Sequence, residues 1–371
     1  MESMSPSETA TAKGRARVPL SWTLAVLVCT ASCRDQPDGA AEGSAVSATG
    51  TSSAPGQVAK APLLTELPPG DRALDLRQAD GLVAAGQARV EPISVGREPR
   101  RLLRYGTDRP AAGRLVVTID IAMTVGPLGE AAVEPAVPPL RVVLDAQVKP
   151  AAQIGTPATV GLVMAEVALE PRNEGERAVA VAMKPLIVGL RGLRCSFPLA
   201  PRGLRRPPLM PTVRTAPEVL QLWTTVAESV GDLMVPYPAD EVGLGAQWRA
   251  FDRVRRAGIE MLRRTTYRIV ALDARSVTIE ADGRELAIAS AGRGDPALPA
   301  DRTVEVVRGS AHGTRAVLRS LGEFLPARTE SKLMSQVTMD TSPLPEVEPG
   351  AVAMRSSVRL TQTVRVVRPG G

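Results

Sequence analysis

Leu140-Arg-Val-Val-Leu-Asp-Ala-Gln-Val-Lys149 sets Leu140, Val142, Leu144, Ala146 and Val148 on one face and Arg141, Asp145, Gln147 and Lys149 on the other. A side-chain period of two with one apolar and one polar face is a half-buried β-strand. One dry and one wet face is the mark of an antiparallel sheet rather than a helix-covered parallel one. The same pattern spreads outward. Residues 115–125 place Val117, Ile119, Ile121, Met123 and Val125 on one side, 126–139 with its prolines reads as a connection, and 160–169 gives a third, less regular strand. Near the end of the chain, Val352, Met354, Val358, Leu360, Val364 and Val366 oppose Arg355, Arg359 and Arg365.

Between these strands the period changes. Residues 215–231 carry Val219, Trp223, Val226 and Val230 at helical spacing, open on Thr215-Ala-Pro-Glu218 with capping-box spacing and an early proline, and end at Gly231. Residues 173–189 start on a cap-like Asn173 with Glu176 but contain Pro185, which is expected to break or kink a helix. There the alternation Val179, Val181, Met183 keeps a strand alternative open. Beyond 246 strands return: 259–271, 275–281, a turn at Asp282-Gly283, 284–289, 303–308, 314–321 and 332–339. Asp-Gly between alternating runs predicts a hairpin.

The N-terminus has a different organisation. Lys13, Arg15 and Arg17 precede an apolar run of about fourteen residues, shorter than the roughly 20 of a membrane-spanning helix, and small residues lead to Cys33. This is secretory-signal architecture, so the rest is read as exported. Thr30-Ala-Ser-Cys33 resembles the lipobox of bacterial lipoproteins, whose cysteine receives a diacylglyceryl group. Thr30 stands where that motif has an aliphatic residue, and ordinary cleavage after Ser32 is the alternative. Residues 34–61 are rich in Ala, Gly, Ser, Thr and Pro with almost no large apolar side chain. Such a segment cannot bury enough surface to fold and suits a tether.

Composition removes several function classes. The chain of 371 residues carries a net charge of +6, and of its 45 basic residues 40 are Arg and five Lys. Small clusters stand at Arg202, Arg205 and Arg206, at Arg253, Arg255 and Arg256, and at Arg263 and Arg264. They could meet an anionic surface, although solvated strand faces account for such Arg equally well. Aromatics form 2% of the chain and do not interleave with the Arg, so bases have few stacking platforms and nucleic acid is not an expected partner. Of three cysteines, Cys29 leaves with the signal and Cys33 takes the lipid, which leaves Cys195 with no partner for a disulfide. Cys195 reads as a small buried side chain. His312 is the single histidine, set in loop-like Gly-Ser-Ala-His-Gly. It excludes His-rich zinc sites and leaves one proton shuttle at most. No G-x-S-x-G elbow occurs. Asp120, Asp145 and Glu166 on strands could pair as carboxylates, but paired or solvated strand faces are the simpler account.

Glu241-Val-Gly-Leu-Gly-Ala-Gln-Trp-Arg249, with Thr265-Thr-Tyr-Arg-Ile-Val-Ala-Leu-Asp273 after it, resembles an uncharacterised family of bacterial lipoproteins and secreted proteins. Its members share an acidic-Val-Gly-x-Gly-x-x-Trp segment ahead of a β-rich C-terminal half. The resemblance spans about residues 95–370. It implies export and a β-rich architecture, and it brings no activity or site. Read from the residues alone, Gly243 and Gly245 allow a tight turn or bulge at the entry of a strand that Trp248 pins to the core. A phosphate loop fails for want of a third glycine, Lys or Ser/Thr at the required spacing.

These readings give an α+β, β-rich fold, with long antiparallel strands in one or two sheets and one or two packed helices. The chain divides into a signal peptide at 1–32, a tether at 33–65, a first β-rich half with a candidate helix at 95–215, and a helix with a second β-rich half at 216–371. The two halves can form one domain. The expected function is a non-enzymatic, lipid-anchored envelope protein with a binding or scaffolding domain. It is membrane-attached through Cys33, on the periplasmic or outer surface, or else soluble and exported. A carrier enclosing an apolar ligand between sheet and helices is the alternative. No catalytic, metal or cofactor residue is assigned.

Overall fold

In the computed structural model, the described residues are 66–84, 86–151, 153, 156–204, 215–256, 259–289, 291–292, 302–343 and 353–369. The proposed signal, Cys33 and the tether lie outside them, as do Arg205 and Arg206. The strands are β1 (Ala88–Ser94), β2 (Arg97–Arg101), β3 (Ala111–Pro127), β4 (Leu140–Lys149), β5 (Ala158–Leu169), β6 (Arg194–Leu199), β7 (Val242–Leu244) and β8 (Gln247–Arg256). They continue with β9 (Ile259–Leu272), β10 (Ser276–Ala287), β11 (Ala291–Gly292), β12 (Arg302–Ser320), β13 (Arg328–Pro343) and β14 (Met354–Val367). Three helices accompany them: α1 (Leu76–Leu82), α2 (Glu174–Leu190) and α3 (Pro217–Gly231).

The expected strand at 140–149 forms as β4, with Val142, Leu144, Ala146 and Val148 buried and Gln147 and Lys149 exposed. The weaker alternation of β5 has a local cause. A register shift opposite Val143 and Leu144 inserts an extra residue between Met164 and Glu166, which moves the following side chains off phase. One sheet takes nearly every strand, in the order β1-β8-β9-β10-β12-β13-β14-β3-β4-β5-β6, all antiparallel, with β11 beside β12. A second sheet pairs only β2 with β7. The join is long-range: β14 pairs with β3 through Val358 opposite Val125 and Val366 opposite Val117.

The sheet curls. From β9 to β6 is eight steps of about 4.8 Å, or nearly 40 Å if flat. Yet α3, fifteen residues and so about 22 Å long, reaches both ends. Its Trp223 Nε1 donates to the Arg194 carbonyl at the start of β6 (3.2 Å), and Asp232, just past its end, bonds Arg263 on β9 (3.1 Å). The two flanks of the sheet therefore face each other across α3, and one hydrophobic core joins Leu162 and Phe197 from one flank to Trp248 and Tyr267 from the other.

Several expectations need correction. Among the described residues there are three helices, not one or two, and α1 precedes the region where patterning was legible. Asp75 and Gln78 cap it reciprocally, and its Ala79 and Leu82 cover Phe251, Leu262 and Leu286 on the outer side of the sheet. Helix α2 runs through Pro185, and Val181 is 74% exposed, which excludes the strand alternative. Pro185 is tolerated because the carbonyl it leaves without a donor, that of exposed Val181, faces water. The capping box on α3 does not form: Ala216 is the N-cap, without a side-chain bond, and Pro217 opens the helix. Asp282-Gly283 makes no turn. β10 passes straight through it, paired with Thr266 and Thr265 on one side and Thr314 and Gly313 on the other. Likewise His312 lies within the long strand β12, not in a loop.

A charged pocket in the sheet interior

Alternation along β10 and β12 decides what faces the interior. On β10 the inward set is Val277, Ile279, Ala281, Gly283, Glu285 and Ala287; on β12 it is Ala311, Gly313, Arg315, Val317 and Arg319. Gly283 and Gly313 stand directly opposite each other, next to Thr265 on β9 and Leu333 on β13. A glycine in mid-strand weakens the strand and commonly marks a close approach or a kept space. At Gly283 an added Cβ would meet nothing nearer than the Thr265 hydroxyl at 3.4 Å, so its missing side chain leaves room. At Gly313 Leu333 Cδ1 comes to 3.0 Å and takes part of that room.

The space over these glycines is a partly enclosed pocket of about 50 Å³, room for a few waters. Its walls include Asp232 and Leu233 after α3, Arg256, Arg263, Glu285, Arg315, Ser331 and Gln362. Two arginines serve three carboxylates. Arg256 forks onto Glu285 (2.8 and 3.1 Å) and reaches Asp232; Arg263 forks onto Asp252 (2.5 and 2.8 Å) and reaches the other oxygen of Asp232 (3.1 Å). Burial works against these charges, but Asp232 with Glu285, and Asp252 with Asp232, hold both guanidinium pKa values above the ordinary range. Such forked pairs fix geometry as well as energy.

Arg315 and Arg319 stand two pleat repeats apart on the same face of β12, with Val317 between them, and fare differently. Arg319 is 3% exposed, donates to the Tyr237 hydroxyl (2.5 Å) and to the Glu323 carbonyl, and lies 3.7 Å over the Tyr105 ring. Arg315 donates to the Asp232 backbone carbonyl, and among the described residues it forms no hydrogen bond or ion pair with a carboxylate. Its Nε, like that of Arg319, is buried without a hydrogen-bond partner among the described residues. Burial, opposed by Tyr267 and Asp232 and reinforced by Arg263 and Arg256, holds its pKa below the ordinary guanidinium value.

Beyond the charged network the interior is filled. Tyr105, Tyr237, Trp248 and Tyr267 form a chain of rings with centroids 5.4, 6.3 and 5.4 Å apart, the first two pairs tilted and the last stacked. Trp223, Trp248, Tyr237, Tyr267 and Phe197 are all less than 2% exposed. The scarce aromatics, 2% of the chain, are what plug it. Trp248 does pin the strand after Gly243-Leu-Gly245: its Nε1 donates to the Pro236 carbonyl (2.7 Å), and Gly245 takes φ +81° at the turn into β8.

The other expected residues lie elsewhere. His312 faces out, half exposed, 3.0 Å from Asp282, outside any cleft. Asp145 bonds Arg114 (2.8 Å), with Glu166 near the same guanidinium, and Asp120 bonds Arg172 (2.9 Å). These are paired surface carboxylates. Cys195 is buried and free, and burial pushes its thiol up to about 12. Arg253 pairs with Asp80 (2.5 Å) and Glu260 (3.1 Å), so the Arg clusters are not simply solvated faces. The signal for the interior arginines was phase: Arg263 alternates with Met261 and Tyr267, and Arg315 and Arg319 flank Val317. Among the described residues no group of three or more His, Cys, Asp or Glu could hold a metal ion, and no helix is long and apolar enough to cross a membrane.

Neither a family model nor a curated protein matches the chain. Among solved structures, a lipovitellin described in terms of its lipid–protein interactions aligns over 71% of this chain and 25% of its own, at 11% identity and a TM-score of 0.35. Pseudomonas aeruginosa OccK2 (OpdF) aligns over 70% of this chain and 98% of its own, at 8% identity and a TM-score of 0.14. The match thus spans about a quarter of the lipovitellin chain, and at these scores neither likeness bears on fold or function.

Proposed function

We propose that this is a non-enzymatic, lipid-anchored binding protein of the cell envelope, held to a membrane through Cys33 and its tether, with the curled sheet as its binding part. One observation carries the binding reading: Gly283 and Gly313 keep a space open inside the curled sheet, against a network of arginines. A scaffold with no ligand has no need of paired glycines in mid-strand, which cost up to about 1 kcal/mol each. The non-enzymatic reading is supported by the position of His312, which is half exposed on the outer face of β12 with Asp282 at 3.0 Å. Export and anchoring are supported by the sequence at 13–33 and by the tether after it.

Two measurements test this. Mass spectrometry of the mature N-terminus should find Cys33 carrying a diacylglyceryl mass; an unmodified N-terminus removes the anchor. Native mass spectrometry of the gently purified protein should find a small molecule that is lost from Gly283→Val. A bare polypeptide mass for both forms argues for a scaffold instead.

A carrier of an apolar ligand is a second reading, favoured by the inward residues of β13 and β14. Leu333, Val358 and Leu360 are only partly buried, a side of the interior that the helices do not fill. Organic extraction of the purified protein should then release a lipid, and an extract without one removes this reading.

A further inference from the structure

The interior network is uneven in a way that points to a ligand class. Asp232, Asp252 and Glu285 are engaged by Arg256 and Arg263 through forked and single hydrogen bonds to their carboxylates. Arg315 is the third guanidinium on the pocket wall, and its hydrogen bond among the described residues goes to a backbone carbonyl, that of Asp232. A guanidinium stays charged at any physiological pH, so Arg315 cannot escape its position by losing a proton. A cation held at a pocket wall with a buried, unbonded Nε is stabilised by whatever anion completes it. The glycines supply the second half: Gly313 is the inward residue next to Arg315 on β12 and Gly283 pairs with it on β10, so the positions beside Arg315 carry no side chain to fill the pocket. Ser331 and Gln362 add neutral hydrogen-bonding groups on the same wall.

We infer that this pocket is a subsite for a single anionic oxygen group, a carboxylate or a phosphate, held by Arg315 and admitted by the missing side chains of Gly283 and Gly313. Leu233, Leu333 and Val364 border it, so the group is either free or the head of an amphiphile whose chain leaves along β13 and β14. The inference rests on the binding reading above.

The test is calorimetric titration of the full-length protein with four probes: acetate, inorganic phosphate, dodecanoate below its micelle concentration, and dodecyltrimethylammonium. Arg315→Gln and Gly283→Val are titrated in parallel. The anionic probes are expected to bind, and Arg315→Gln to weaken them roughly tenfold or more, the scale of one charge-assisted bond. Binding of acetate or phosphate as tight as that of dodecanoate identifies a free anion as the source. Much tighter binding of dodecanoate identifies an amphiphile head. Either supports the subsite. Dodecyltrimethylammonium binding as well as dodecanoate, or Arg315→Gln binding like wild type, overturns it. If Gly283→Val still abolishes binding in that case, the pocket stands and only the anion is lost. If no probe binds, or none depends on Gly283, both readings fall. Denaturation midpoints of the two variants separate lost binding from lost folding, and Arg315→Met supplies a second neutral variant.

Discussion

The two ends of the interior are built from the same alternating strands and held by different physics. Around Trp223, Tyr237, Trp248 and Tyr267 the space is closed by rings, and close packing with a few hydrogen bonds from the ring edges sets the energy. Around Asp232, Arg256, Arg263 and Arg315 the walls are charged, hydrogen-bonded in forks, and separated by a space over two glycines. α3 belongs to both: its middle carries Trp223, and its end delivers Asp232. The apolar end supplies stability; the charged end, whose ion pairs carry a desolvation cost that largely offsets their attraction, contributes specificity of geometry.

Breaking the apolar end should give the largest effect. Trp223→Ala removes a fully buried ring that ties α3 to β6, and should cost about 3–5 kcal/mol, read as a fall in the urea midpoint. That loss should not depend on salt. Asp232→Ala should cost about 3 kcal/mol, because it strips a shared partner from Arg256 and Arg263 and leaves buried charge uncompensated. If Asp232→Ala proves harmless, the network is not structural and the contrast between the ends collapses.

A smaller effect sharpens the picture on the apolar side. The Cys195 thiol, pushed up to about 12 by burial, should resist alkylation at pH 8 in the native protein and react readily in urea. Its folded pKa lies above the unfolded value near 9, so the stabilisation is full below pH 9 and is lost as pH rises from there toward 12, where the unfolded thiol ionises and the folded one does not. Cys195→Ala should flatten that alkaline decline.

The smallest change is expected on the wet face. Asp340→Ala breaks the fork to Arg355 (2.7 Å twice) in an exposed pair, and the unfolding midpoint at pH 7 should stay within measurement error. The side-chain bond from Arg355 holds the Asp340 carboxyl below the usual range, as the Ser276 side chain does for Asp273. What these groups contribute is present above about pH 3.8 and lost as pH falls through the depressed values, and because it is already small at pH 7 the acid unfolding of Asp340→Ala should track that of the wild type.

Strands with one wet face were legible in the sequence because solvent enforces the alternation residue by residue, as in β4 and β14. Gly283 and Gly313 were misread as a turn and a loop because glycine marks both reversals and kept spaces, and nothing local tells them apart. The interior arginines were visible as positions in apolar phase, but their partners come from the end of α3, from β8 and from β10. No spacing along the chain predicts that meeting.

By itself the sequence determined the β-rich antiparallel class, the helix carrying Trp223, the strand pinned by Trp248 after Gly245, and the burial of Cys195, all of which follow from local period and side-chain size. Only the tertiary structure decided that β14 closes on β3 and that the sheet curls around α3. It also decided that a pair of glycines opens a space beside Arg315, because long-range register is set by the packing of the whole sheet and not by any one of its strands.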